Sequence, residues 1–260
     1  MMTGRNGARW LHTKKRNLQT FWKVLRLGLI FIALLFSIAY GFKFVTGQGK
    51  VSNLVIPLSL TLSVVFSLKV FDRRPLSDIG ITVKGIINLL YGVVLGFACM
   101  LLLGLQMILT GEMEASFLST IDTSLLLPNL ILCILVGTGE EVLFRGYLFT
   151  TIRQTSNTWV AAFVSSALFM CMHLVNPQYH LFAFIMAFAA GLMFIYMFVR
   201  TGSLWLAIGF HISWNYFQTI FSFPYTGGMI GNVIVVALNF FIVWLCTSKL
   251  NSSKRTELNL

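Results

Sequence analysis

Charge is scarce in this chain. Asp, Glu, Lys and Arg make up 10% of its 260 residues, whereas a soluble domain typically carries about 25%. With 57% hydrophobic residues and a mean hydropathy of +0.83, that deficit excludes most soluble folds. Closely spaced cysteines are lacking too. Cys99, Cys133, Cys171 and Cys246 each stand in an apolar run with no CxxC spacing, which reads as buried unpaired thiols rather than a disulfide or zinc site. The first apolar run, Val24 to Val45, lacks a small-x-small cleavage site and is longer than a signal core, so a retained first helix is expected. No internal repeat is visible, and the zinc-protease signature HExxH is absent.

Acid is the scarcer sign: 8 Asp and Glu stand against 19 Lys and Arg, a net charge of +11. Such a balance suggests nucleic acid until its distribution is read. Arg5, Arg9, Lys14, Lys15, Arg16, Lys23 and Arg26 precede or open the first apolar run. Apolar runs at 24–45, 51–71, 86–110, 124–154, 157–175, 179–200, 203–221 and 228–247 predict about eight transmembrane helices, an all-α polytopic bundle. On that threading only Lys43 and Lys50 fall opposite the N-terminus, leaving 17 of the 19 basic residues on its side. The positive-inside rule then predicts both termini in the cytoplasm, a lipid bilayer as partner and no nucleic acid. The segment Asp72–Gly80, with charge, Pro and Gly, is expected to be a cytoplasmic connection.

A titratable side chain inside a span is costly and usually faces a bundle interior. Glu140, Glu141 and Arg145 interrupt the fourth run. Glu141 and Arg145, four apart, share a helix face and can pair. Glu140 lies about 100° round the helix and is left over, which a purely structural ion pair does not explain. His173 stands near the end of the fifth run, and His211 and Asn215 lie four apart on the seventh. Taken singly, each has a plain packing role as an alternative, and His12 and His180 receive only that reading. Ala187 and Gly191 in the sixth run suit close helix packing.

Joint placement carries more. If runs four and five form a hairpin turning at Ser156-Asn157, Glu140 and His173 both lie about 24 Å from the turn. His211 is only about 12 Å from its own turn near Ser203. The three share a level if the first hairpin extends about 10 Å further than the second turn. A carboxylate, two imidazoles and a carboxamide at one level are parts for activating water. In one arrangement Glu140, His173 and His211 hold a divalent metal such as zinc. In the other, metal-free, Glu140 is the general base with His173, while His211 and Asn215 donate to an oxyanion. Spacing leaves both open.

The run Glu140-Glu141-x-x-x-Arg145, Phe169-x-x-x-His173 and His211-x-x-x-Asn215 resembles the CPBP (Abi) family of intramembrane proteases, which contains the type II CAAX prenyl endopeptidases. The resemblance covers roughly residues 124–220. It implies a helical bundle whose site opens to the cytoplasm, a catalytic Glu140, essential His173 and His211, and supporting positions at Glu141, Arg145 and Phe169, with Asn215 last. The family is commonly called metallopeptidase, although the role of metal is debated.

The expected organisation is a basic segment at 1–23, transmembrane helices at 24–123, a protease-like core at 124–221, and a last helix with polar tail at 222–260. The expected activity is intramembrane endopeptidase, acting on a membrane-embedded or membrane-associated peptide or protein. The compact chain and short loops point to a bacterial plasma membrane, where relatives of this kind are linked with peptide processing, bacteriocin immunity or export. Two other classes stay open: a proton-coupled transporter, which would more naturally show repeated halves, and a non-catalytic membrane scaffold.

Overall fold

Apolar runs interrupted by few breakers can satisfy their backbone only as helices, and helices are what form. The computed structural model describes residues 4–46, 53–113, 121–175, 181–221 and 229–248, and among them there is no strand. Helix α1 spans Gly4–Thr46. Helix α2, Val55–Phe66, widens into a π-type turn at Ser67–Asp72. Two 3-10 turns, Leu76–Ile79 and Val83–Gly85, lead to α3 at Ile87–Leu109. Helix α4, Leu126–Glu141, continues through a π-type stretch at Val142–Phe149 into a last turn, α5, at Thr150–Arg153. The remainder are α6 (Thr158–Met172), α7 (Leu181–Thr201), α8 (Leu204–Ile220) and α9 (Met229–Ser248).

Local chemistry sets several of these ends. Asn157 caps α6, its side chain accepting from Val160 N at 2.8 Å, so the hairpin turn falls where the sequence expects it. Gly202, at φ 63°, ends α7 with its N–H on Phe198 O and turns the chain into α8. Asp122 accepts from Ser124 N and Oγ before α4, and those two bonds hold its carboxyl below the usual range.

Each of the eight apolar runs lies on a helix, but the expected eight crossings are met only in part. Among the described residues five helices are long and apolar enough to cross a membrane: Lys15–Thr46, Val55–Asp72, Ile87–Leu109, Thr123–Arg153 and Leu181–Thr201. Helices α6 and α8 have 15 and 17 residues, about 22 and 25 Å, short of a hydrocarbon core of about 30 Å. In α9 the described apolar stretch is Ala237–Ser248.

Helix α8 is the interior element, with Leu204 and every residue from Leu206 to Ser213 buried. It is enclosed by α3, α4 and α7. Glycine makes the α3 contact close. A Cβ on Gly209 would lie 2.1 Å from Leu89 O, and one on Gly92 would lie 2.2 Å from Leu206 O. The small-residue pair expected to pack tightly does so: Gly191 of α7 abuts Ser166 of α6. Outward faces keep Leu29, Phe36, Phe44, Val94, Leu105, Trp159 and Phe163 exposed, as helices bathed in lipid would.

The connector after α2 is tucked into the end of the bundle. Ile79 is fully buried beside Gly146, Leu204 N donates to Gly80 O (3.0 Å), and Trp205 Nε1 donates to Thr82 O (2.9 Å). Asp72 belongs to the end of the α2 helix rather than to the connector. It accepts from Arg26 of α1 at 2.6 Å and from the Tyr147 hydroxyl at 2.7 Å.

Of the cysteines, Cys99 and Cys133 are buried, whereas Cys171 and Cys246 are exposed, so the expectation of four buried thiols fails for two. Both lie on outward helix faces, where an apolar run meets lipid rather than core.

Candidate active site

Helix α4 reaches the centre of the bundle because two of its turns lack side chains. A Cβ on Gly137 would sit 2.9 Å from Ile212 Cγ1 of α8, and one on Gly139 would sit 2.7 Å from Pro57 O of α2. The helix is therefore wedged between α2 and α8 just before Glu140 and Glu141. Immediately after them the backbone widens to the π-type register that carries Arg145. Such widened turns recur at functional sites because they re-aim side chains.

Glu141 is the hub. Its side chain is fully buried, as is that of Arg145, and Arg145 Nη1 donates to Glu141 Oε1 at 2.9 Å. The pair expected from the i,i+4 spacing is therefore formed. The same Oε1 accepts from His211 Nδ1 of α8 at 2.8 Å. A carboxylate can only accept, so the proton of that bond sits on Nδ1 and Nε2 faces the other way.

It faces Glu140. His211 Nε2 lies 3.7 Å from Glu140 Oε2, and the Glu140 side chain is 13% exposed. That distance is too long for a hydrogen bond and short enough for both groups to act on one small molecule. On the third side, His173 Nδ1 lies 2.9 Å from Phe169 O, one turn back on its own helix. A carbonyl also only accepts, so Nδ1 donates and Nε2 is the acceptor nitrogen. His173 also lies within electrostatic range of Glu140. The Phe169 ring stands between the two imidazoles, edge-on to His173 at 4.8 Å and to His211 at 6.2 Å.

Three helices thus bring Glu140, Glu141, Arg145, Phe169, His173 and His211 to one neighbourhood. Asn215 sits one turn beyond His211 on α8, half-buried. Among the described residues its carboxamide meets no hydrogen-bond partner. His12 lies in α1, and His180 lies outside the described residues. The two turns are offset as the spacing predicts: Gly146 abuts Leu204 at the start of α8. Gly146 is eight residues before Gln154, so the α5–α6 turn extends about 12 Å beyond the α7–α8 turn.

A metal at Glu140, His173 and His211 was one of the two arrangements open from sequence. The donor chemistry suits it, since both imidazoles would present Nε2 with Nδ1 hydrogen-bonded behind. The spacing does not. Among the described residues no three His, Cys, Asp or Glu side chains are grouped closely enough to hold a metal ion.

Phe194 of α7 went unmarked in the sequence. Its ring stacks on His211 with centroids 5.0 Å apart and planes at 19°, and Arg145 Cζ lies 4.9 Å from its centre. The signal was present: Phe194 follows Ala187 and Gly191 at helical spacing, on the face already assigned to close packing. Asp72 and Tyr147 carried no comparable signal, because their partner Arg26 is far away in sequence.

Comparison with known proteins places this neighbourhood in context. Residues 122–217 match the family model described as "Type II CAAX prenyl endopeptidase Rce1-like", a family of proteases. The resemblance drawn from the three motifs is borne out over that segment. The chain is also similar to a Bacillus subtilis (strain 168) protein named "Uncharacterized protein YyaK", with 31% identity over 101 residues. The alignment covers 37% of this chain and 34% of the relative, so the chain spans about a third of the curated protein it matches.

Proposed function

We propose, from that match and the geometry beneath it, that the chain is an intramembrane endopeptidase in which Glu140 activates water. One observation carries the reading: Glu140 and His211 meet at 3.7 Å while Glu141 occupies the far nitrogen of the same imidazole. Arg145 and His211 both hydrogen bond Glu141 Oε1, while among the described residues neither hydrogen bonds Glu140, which leaves Glu140 the carboxylate available for chemistry.

The step is written with this chain's own groups. Glu140 takes a proton from a water that also donates to His173 Nε2, and the water oxygen attacks the peptide carbonyl carbon. His211, protonated at both nitrogens in this form, donates from Nε2 to the oxyanion, and the Asn215 amide one turn along α8 donates beside it. The imidazolium and Arg145 then balance the two carboxylates, so no net charge is buried. Glu140 passes its proton to the leaving nitrogen as the C–N bond breaks, giving a carboxylic acid, which keeps the water's second proton, and an amine. No step runs through a metal, in keeping with the ligand spacing. The substrate class is a membrane-embedded or membrane-associated peptide or protein, because five helices among the described residues, the one that carries Glu140 included, are long and apolar enough to cross a membrane.

The test compares membrane peptides, by mass spectrometry, from cells carrying the native chain and the Glu140→Ala form. Loss of specific cleavage products with unchanged protein abundance is expected. Cleavage products that persist would overturn the proposal, as would a defect that appears only in solute flux. Once a substrate is in hand, a membrane-permeant metal chelator is expected to leave turnover unchanged. Loss of turnover that returns with added zinc would replace the metal-free step.

A further inference from the structure

The catalytic groups proposed above are held by few hydrogen bonds. Among the described residues Arg145 makes one, through Nη1 to Glu141, while its Nε and Nη2 are buried without a partner. A guanidinium anchored at one corner can pivot. Besides Glu141 Oε2, itself buried without a partner among the described residues, the other carboxylate beside it in the chain is Glu140. His211 has a similar freedom. Glu141 fixes which nitrogen points backward, but one hydrogen bond does not fix the plane of a ring.

Aromatic faces supply the missing restraint. Arg145 Cζ lies 4.1 Å from the Phe169 ring centre and 4.9 Å from that of Phe194. A planar cation against two ring faces is held in orientation as well as in place. Phe194 does a second thing that Phe169 does not. It lies nearly parallel to the His211 ring, at 19°, whereas Phe169 meets that ring edge-on at 80°. Phe194 itself is 4% exposed and braced edge-on by Phe210 at 5.8 Å. Its plane is therefore set by the bundle and not by the site.

We propose that Phe194 is a positioning residue of the site: its face fixes the plane of His211 and keeps Arg145 on Glu141 and away from Glu140. Phe194 acts through its neighbours and touches no reacting atom. This inference rests on the endopeptidase reading for its consequence and on the ring geometry for its content.

The experiment uses the full chain in lipid nanodiscs with 15N-labelled histidine. The His211 signals are assigned by their loss in His211→Gln. The native protein is expected to give one set of His211 ring signals with Nδ1 protonated. Phe194→Leu, which keeps apolar volume and removes the π face, is expected to give two sets or an averaged one. Phe194→Trp is expected to restore a single set. One unchanged set in Phe194→Leu would overturn the proposal, as would failure of Phe194→Trp to restore it. If Phe194→Leu is not monodisperse, Phe194→Met is read in the same way.

Turnover is followed in parallel in proteoliposomes on a fluorogenic peptide built on a cleavage site identified by the membrane-peptide mass spectrometry. Phe194→Leu is expected to lower kcat at least tenfold with KM within about twofold. A merely structural defect would instead lower the active fraction without multiplying the His211 signals. Glu140→Ala runs beside it. Cleavage by Glu140→Ala sinks the endopeptidase reading and leaves the ring result standing. Inactive Glu140→Ala with fully active Phe194→Leu sinks the positioning role alone.

Discussion

Glu141 Oε1 accepts two hydrogen bonds, one from Arg145 in its own helix and one from His211 across the bundle. Breaking a buried ion pair from one side strands the other charge, which typically costs about 3–5 kcal/mol. Arg145→Ala should therefore lower the thermal midpoint of the purified protein in detergent by several degrees. A midpoint equal to the native one would reject the pairing. Glu140→Ala should behave differently, because among the described residues Glu140 has no hydrogen bond to lose and His211 stands 3.7 Å away. Its midpoint should stay close to the native value while activity disappears. The i,i+4 spacing made the Glu141–Arg145 pair legible in the sequence. The His211 contact was not, since it joins residues 70 apart and depends on how α8 meets α4.

Elements meet here through missing side chains. Gly209 and Gly92 let α3 and α8 approach until a methyl group would collide with a backbone carbonyl. Gly209→Ala must move one helix, and forced overpacking typically costs about 1–3 kcal/mol. Gly28 of α1 has nothing within 4 Å of its would-be Cβ. Gly28→Ala should be neutral or slightly stabilising, since alanine favours a helix by up to about 1 kcal/mol over glycine. Thermal unfolding of the two variants side by side checks the argument. Equal midpoints would mean that the α3–α8 approach is not tight. Sequence marked the α6–α7 small-residue pair because Ala187 and Gly191 stand four apart. The pair Gly92 and Gly96 has the same spacing, but only the position of α8 gives it a partner.

At the scale of the whole molecule, the basic residues report on orientation. Arg16 donates to Gln154 O, and Thr20 pairs with Thr155, so the start of α1 stands beside the α5–α6 turn. Single cysteines at Lys15 and Ser156, in a cysteine-free background, should be labelled by an impermeant maleimide from the same side of the membrane. A cysteine at Gly111 should be labelled from the other. Labelling of Lys15 and Ser156 from opposite sides would refute the shared end. By itself the sequence determined that the chain is helical and apolar, that Glu141 and Arg145 share a face, and which residues to bring together. These follow from composition and from spacing within one helix, which are local. Only the tertiary structure decided that five helices among the described residues meet the length of a crossing, that Glu141 rather than Glu140 holds His211, and that Phe194 lies against it. Those depend on crossing depth, helix rotation and close approach, which arise from packing between segments remote in the chain.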